Sequence, residues 1–182
     1  MKRLRRLARF VRAHQQVILH FESSKSFEHA NVKVDANYGG DGEDLRSTSG
    51  GFLYLDDVML MSWSRTQATP ALSSAEAEFY GIVTGVCEAM FLQQLLEELQ
   101  VKVDIRVYTD SSGAKGFSER VGCGRLKHIA VRELFVKQLA ASGVITLSKV
   151  KGTLNEVDLL TKALNPKLFQ NCLALCKSSE VQ

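Results

Sequence analysis

No apolar run in this sequence approaches the roughly 18 residues needed to cross a bilayer, which argues against an integral membrane protein. The basic start leads into no apolar segment of the kind a secretory signal requires. Its four cysteines, Cys87, Cys123, Cys172 and Cys176, form neither a zinc-ligand spacing nor a disulfide framework, and a reducing compartment fits them. Cys172 and Cys176 stand one helical turn apart and read as packing residues. Repeats and low-complexity tracts are absent. What remains is a chain of 182 residues, 45% hydrophobic and 24% charged, long enough to bury one real core.

Charge is unevenly spread. Residues 1–14 hold six of the 23 lysines and arginines and no acid, so the formal net charge of +3 hides a body with 17 basic and 20 acidic residues. A uniformly basic nucleic-acid binder is therefore excluded. One local basic run, from Lys115 through Arg120, Arg125, Lys127 and Arg132 to Lys137, opposes only Glu119 and Glu133. It reads either as a solvated helix face or as a phosphate-contact surface.

Periodicity supplies the elements. Leu4, Leu7, Ala8 and Val11 form one face of an amphipathic, arginine-rich helix, and "QVILHF" follows as a short strand. "NVKVDA" alternates with period two, and "GFLYL" and "VMLMSWS" are β-rich runs joined by Asp56-Asp57, a hairpin signal. Trp63 within the last run is expected in the core. Ser73 and Glu76 make a capping box before Ala75, Phe79, Ile82, Val86, Ala89 and Met90, a helical stripe ending near Leu99. The strand "VDIRVYT" comes next, then a short helix from Ser111. "RLKHIAVRELFVKQLAAS" is a second long helix, stopped by Gly143. "VITLSKV" is the last strand, and "GTLNEVDLLTKAL" opens a helix for which Thr153 and Glu156 form a second capping box. The order β-β-β-α-β-α-α-β-α is α/β with a mixed sheet.

Four carboxylates fall at element ends, where sites of open α/β sheets collect. Asp35 ends the first strand of the meander, Glu78 lies in the first turns of the long helix, Asp110 tips the fourth strand and Asp158 begins the last helix. Each alone has a bland explanation as a turn residue, a cap or a helix-dipole partner. Glu78 shares its helix face with Gly81 and Gly85, where missing side chains permit close approach to a neighbour. Glu76, accounted for by the capping box, remains the alternative.

"VDANYGGDGEDLRSTSGGFLYL", "SWSRTQATPALSSAEAEFYGI", "YTDSSGA", "GRLKHIAVRELFV" and "KVKGTLNEVDLLTKAL" resemble the ribonuclease H domain of copia-type long-terminal-repeat retrotransposon polyproteins. The first 30 residues resemble the end of a reverse transcriptase region, although no "YVDD"-like polymerase motif occurs. The resemblance implies a ribonuclease H-like fold over residues 31–165, with residues 166–182 as a tail helix. Its mixed five-stranded sheet would have three antiparallel strands, then two parallel ones, flanked by helices.

It also implies two Mg2+ ions, replaceable by Mn2+, held by Asp35, Glu78, Asp110 and Asp158, and hydrolysis of the RNA strand in RNA–DNA hybrids. Substrate contacts would come from Arg46, Ser47, Thr48, Ser49, Ser111, Lys127 and His128, although His128 reads equally as a buried, hydrogen-bonded residue. A reverse transcriptase domain would be a partner, in the cytoplasm or in virus-like particles, with no small-molecule cofactor and no membrane. The chain departs from the pattern at Ala130, where an Asp is common, at Leu134, where a His is common, and in "EVD". It also has no histidine in the loop before Asp158. These departures leave a non-catalytic structural or nucleic-acid-binding remnant as the rival reading, and an integrase-like nuclease as a third that the family-specific blocks disfavour.

Overall fold

A computed structural model describes residues 2–13, 26–40, 44–112, 116 and 130–177. Five strands form one sheet in the order β3-β2-β1-β4-β5. They are β1 (His29–Asn37), β2 (Thr48–Leu55), β3 (Val58–Thr66), β4 (Asp104–Thr109) and β5 (Ile145–Lys149). β1, β2 and β3 are antiparallel neighbours, whereas β4 runs parallel to β1 and β5 parallel to β4. The mixed sheet expected from the element order is therefore present. Five helices accompany it among the described residues: α1 (Lys2–Ala13), α2 (Ser74–Glu98), α3 (Ala130–Ala141), α4 (Asp158–Thr161) and α5 (Pro166–Lys177). "QVILHF" and nearly all of the short helix after Ser111 lie outside the described residues.

Strand parity sorts side chains onto two layers, because successive residues point to opposite faces. Val32 and Val34 of β1, Leu53 and Leu55 of β2 and Trp63 of β3 pack with Phe79, Ile82, Val86 and Ala89 of α2. Ile105 and Val107 of β4, Ile145 of β5 and Val136 of α3 join the same cluster. Phe52 and Tyr54, of the other parity in β2, pack instead with Val157, Leu160 and Cys176 around α4 and α5. Cys172 is buried, in keeping with a packing role. By length and composition α2 could cross a membrane, its most apolar 18-residue window having a mean hydropathy of 1.3, a stretch not anticipated from the apolar runs of the sequence. Here its apolar face lies on the sheet.

Two glycines set the distance between layers. A Cβ on Gly85 would sit 2.6 Å from Val34 Cγ1 and 2.8 Å from Val32 Cγ1, so only a bare backbone lets α2 lie this close to β1. Gly51 is paired with Trp63 across β2 and β3, and a Cβ there would stand 2.1 Å from the indole. Trp63 is a core residue, as its sequence context suggests.

Helix ends follow capping rules with two instructive variations. Ser73 Oγ accepts from the Glu76 N–H at 3.2 Å, but the Glu76 carboxylate reaches past the cap residue to the Leu72 N–H, at 2.8 Å. α2 and α3 both stop in Schellman geometry. Gly143 takes the left-handed position after α3, whereas Gln100, at φ +63°, takes it after α2, with Val101 N–H donating to Leu96 O.

The last expected helix is corrected. Gly152–Leu154 forms a 3-10 turn and α4 is a single turn beginning at Asp158, with no capping box between Thr153 and Glu156. Glu156 is buried instead, and its Oε1 accepts from Lys33 Nζ at 2.5 Å and from the Tyr54 hydroxyl at 3.0 Å. A carboxylate recruited to that pairing cannot fold back onto its own helix start.

Gly51→Ala should destabilise the chain by about 1–3 kcal/mol, the usual range for overpacking a rigid core position. Urea denaturation would show it as a lower midpoint with an unchanged slope.

Candidate active site

The parallel strands β1 and β4 end side by side, and the start of α2 lies across that end. Asp35 leaves β1 next to its last residues, Asp110 follows the final residue of β4, and Glu78 hangs from the first turns of α2. Each presents a carboxylate oxygen, and these oxygens lie within 4.8 Å of one another. Glu76 is not among them. Its oxygens accept instead from the Leu72 N–H and the Tyr80 hydroxyl.

Asp35 is almost wholly buried, at 1% exposure, and the loop after β5 wraps over it. Gly50 is the cross-strand partner of Asp35, and a Cβ there would stand 2.8 Å from both Leu160 Cβ and Thr161 Cγ2. The missing side chain lets α4 lie directly on β2. In consequence the Thr161 hydroxyl donates to Asp35 Oδ2. Lys162 follows, its ammonium 3.2 Å from Asp35 Oδ2 and 3.4 Å from Oδ1.

Asp158 was expected to join the three acids directly. The structure places it beside them but behind the Lys162 ammonium, which it meets at 2.6 Å. Thr161 and Lys162 did not figure in the sequence reading. The four-residue spacing of Asp158 and Lys162 on one helix was a visible signal for their pairing, while the contact with Asp35 was not.

Crowding of like charges shows in the protonation of the acids. Burial first, then the charges of Asp35 and Asp110, push the Glu78 carboxyl up to about 8, against the Ala36 N–H and the charge of Lys162. Asp110 is raised in the same way, by burial and then by Asp35. Lys162 is held above its ordinary value: burial opposes the charged form, but the hydrogen bond to Asp158 and the charges of Asp35 and Asp158 prevail.

The donors fit a hard divalent cation, which takes carboxylate oxygens and keeps other positions for water and phosphate. Glu78 Oε2 is buried and has no hydrogen-bond partner among the described residues, an acceptor that a cation would satisfy. The cluster can therefore hold a metal ion.

The expected substrate-contact residues fare unevenly. Ser47 is fully buried with its Oγ accepting from the Gly39 N–H at 3.1 Å, and Ser49 Oγ accepts from Gln67 Nε2 at 2.8 Å. Gln67 in turn donates to Ala77 O at the start of α2. Ser47 thus braces the loop between β1 and β2, and Ser49 links β2 to α2 through Gln67; both are buried rather than facing outward. Arg46 and Thr48 are half-buried, and Arg46 pairs with Asp44. Ser111 is half-buried next to Asp110, its N–H donating to Thr109 Oγ1 at 3.1 Å. Lys127 and His128 lie outside the described residues.

Known proteins carry the same arrangement of elements. The chain is 31% identical over 140 residues to the "Retrovirus-related Pol polyprotein from transposon RE1" of Arabidopsis thaliana, a match covering 75% of this chain and 10% of that polyprotein. Its homologues are retrovirus-related Pol polyproteins, and its fold is that of ribonuclease H. RNase H1 from Halobacterium salinarum superposes with a TM-score of 0.56 at 14% identity, over 73% of this chain and 94% of that one. LC11-RNase H1, crystallised in complex with an RNA/DNA hybrid, gives 0.50 at 14% identity, over 72% of this chain and 93% of that one. No family model matches the chain.

Because the folded, metal-free chain keeps a proton on Glu78 up to about pH 8 while an ordinary glutamate releases it near 4.5, folding takes up a proton between those values. This contribution to stability is fully present below the lower value and is lost as pH rises through the higher one. Urea midpoints in EDTA should therefore fall from about pH 4.5 to about pH 8 and level off above that. Saturating Mg2+ should flatten that dependence.

Proposed function

We propose that this ribonuclease H-like chain is a divalent-metal-dependent endonuclease that hydrolyses the RNA strand of RNA–DNA hybrids during retrotransposon replication. The observation that carries the reading is the Asp35–Glu78–Asp110 trio at the sheet end. The hybrid in the LC11-RNase H1 crystal supports the substrate class. The chain spans about 10% of the length of the Pol polyprotein it matches. Its connection to a reverse transcriptase domain, and the origin of residues 1–30 in such a connection, belong to the proposal.

Asp35, Glu78 and Asp110 would hold one Mg2+, and Asp35 with Asp158 would flank a second. Bound there, the ions would supply positive charge for the scissile phosphate and for the attacking and leaving oxygens. The side chains themselves supply rigidity and proton balance. Asp35 is fixed by burial and by the Thr161 hydroxyl, so the carboxylate common to both positions cannot swing away. Glu78 keeps a proton near neutral pH in the metal-free chain, and metal binding would release that proton. Hydrogen bonds from Gln67 to Ser49 and to Ala77 hold the first turn of α2, and with it Glu78, against β2. Recognition of RNA would rest on 2′-hydroxyl contacts near the site and phosphate contacts along the basic run that includes Lys127.

Cleavage of a labelled RNA–DNA hybrid should require Mg2+ and stop in EDTA, with DNA duplex left intact. Asp110→Asn, which keeps shape but loses charge, should lower cleavage by at least about 100-fold while the metal-free fold survives or gains stability. Parent chain that binds hybrid without cutting it in Mg2+ would instead favour the non-catalytic binding module.

A further inference from the structure

The cation side of this acidic site is already partly supplied by the chain. Lys162 is the residue after the single turn of α4, fixed by the i, i+4 contact to Asp158 and by the approach of α4 over Gly50. Its ammonium lies between Asp158 and Asp35, at 2.6 Å from one and 3.2 Å from the other. On the other side of Asp35, the trio with Glu78 and Asp110 contains a buried acceptor, Glu78 Oε2, that no described side chain satisfies. The two halves of the site are thus unlike: one is short of a cation, and the other is bridged by a side chain of the protein.

We propose that Lys162 is a built-in counter-ion that occupies the Asp35–Asp158 position until a divalent ion displaces it, so that the two metal positions fill in order. This rests on the metal-dependent reading above and deepens it. Among the described residues, no ammonium pairs with two ligands of the trio in the way that Lys162 pairs with Asp35 and Asp158. A cation entering between Asp35 and Asp158 must first have Lys162 leave, and its apparent affinity is reduced by the fraction of molecules in which the position is open. Departure is feasible because the Lys162 side chain is 38% exposed and its flexible stem can carry the charge into solvent. In the metal-free chain the same ammonium offsets the repulsion among the clustered carboxylates. Lys162 is in this sense a positioning residue that sets metal affinity, with no contact to substrate required.

Titration of the whole chain with Mn2+ alone, followed by electron paramagnetic resonance of the free ion, separates the two binding events. Lys162→Met should tighten the weaker event by about tenfold or more, the scale on which groups behind metal ligands act, and the tighter event by much less. Lys162→Arg, which keeps the charge, should return the weaker event toward the parent value. Lys162→Met should also melt lower than the parent in EDTA and regain that loss with Mn2+. Circular dichroism checks folding, and Lys162→Gln carries the titration if Lys162→Met is unfolded without metal. Equal tightening of both events would reduce the lysine to a diffuse electrostatic influence and overturn the proposal. An unchanged weaker event would also overturn it, while leaving the nuclease reading standing. The expected shifts in a chain that cuts no hybrid would uphold the role of Lys162 and overturn the nuclease.

Discussion

Asp35 is a carboxylate buried to 1% exposure at the end of the central strand, and such a group is costly unless it is paired. Its surroundings are organised around that requirement. Thr161 donates a hydroxyl, Lys162 brings an ammonium, and Glu78 and Asp110 stand close enough to share a cation with it. Removing these partners would leave a buried charge uncompensated, and moving them away would dismantle the sheet end. The neighbouring architecture, α4 pressed onto β2 and α2 pressed onto β1, is what keeps them in place.

Small residues make that pressing possible. Gly50, opposite Asp35, admits Leu160 and Thr161, and Gly85 admits the methyls of Val32 and Val34. Gly152 plays a similar part on the far side, where a Cβ would stand 3.2 Å from Asp110 Oδ2. Site geometry and layer packing are therefore the same problem here. A side chain added at these positions would move a helix or turn, and with it a carboxylate or its partner.

A second buried charge anchors the wrapping loop. Glu156, paired with Lys33 and Tyr54, pins the segment just before Asp158 to β1 and β2. Buried pairs of this kind add little net stability but are severely destabilising when one partner is removed, which makes them effective at fixing one arrangement. The Tyr54 hydroxyl is raised above its ordinary pKa by burial and by the Glu156 charge, so it stays a donor to that carboxylate. The loop cannot slide along the sheet without breaking this pairing, and so Asp158 and Lys162 arrive at a fixed register.

Much of this was legible in the chain itself, because the signals are local. Period-two alternation in "NVKVDA", helical spacing from Phe79 to Met90, the Ser73 cap and the Gly143 stop are determined by a few neighbouring residues. Asp35, Glu78 and Asp110 could be assigned to element ends for the same reason, and the Ser73 cap gave Glu76 a local role of its own. Contacts made across more than a hundred residues were decided by the tertiary structure alone. The diversion of Glu156 from a helix cap to Lys33 depends on which strand lies beneath the loop. The burial of Ser47 and Ser49 depends on the parity with which β2 meets α2. The insertion of Lys162 between Asp158 and Asp35 depends on an α-helical turn resting on a glycine in another strand, a distance that no spacing along the chain encodes.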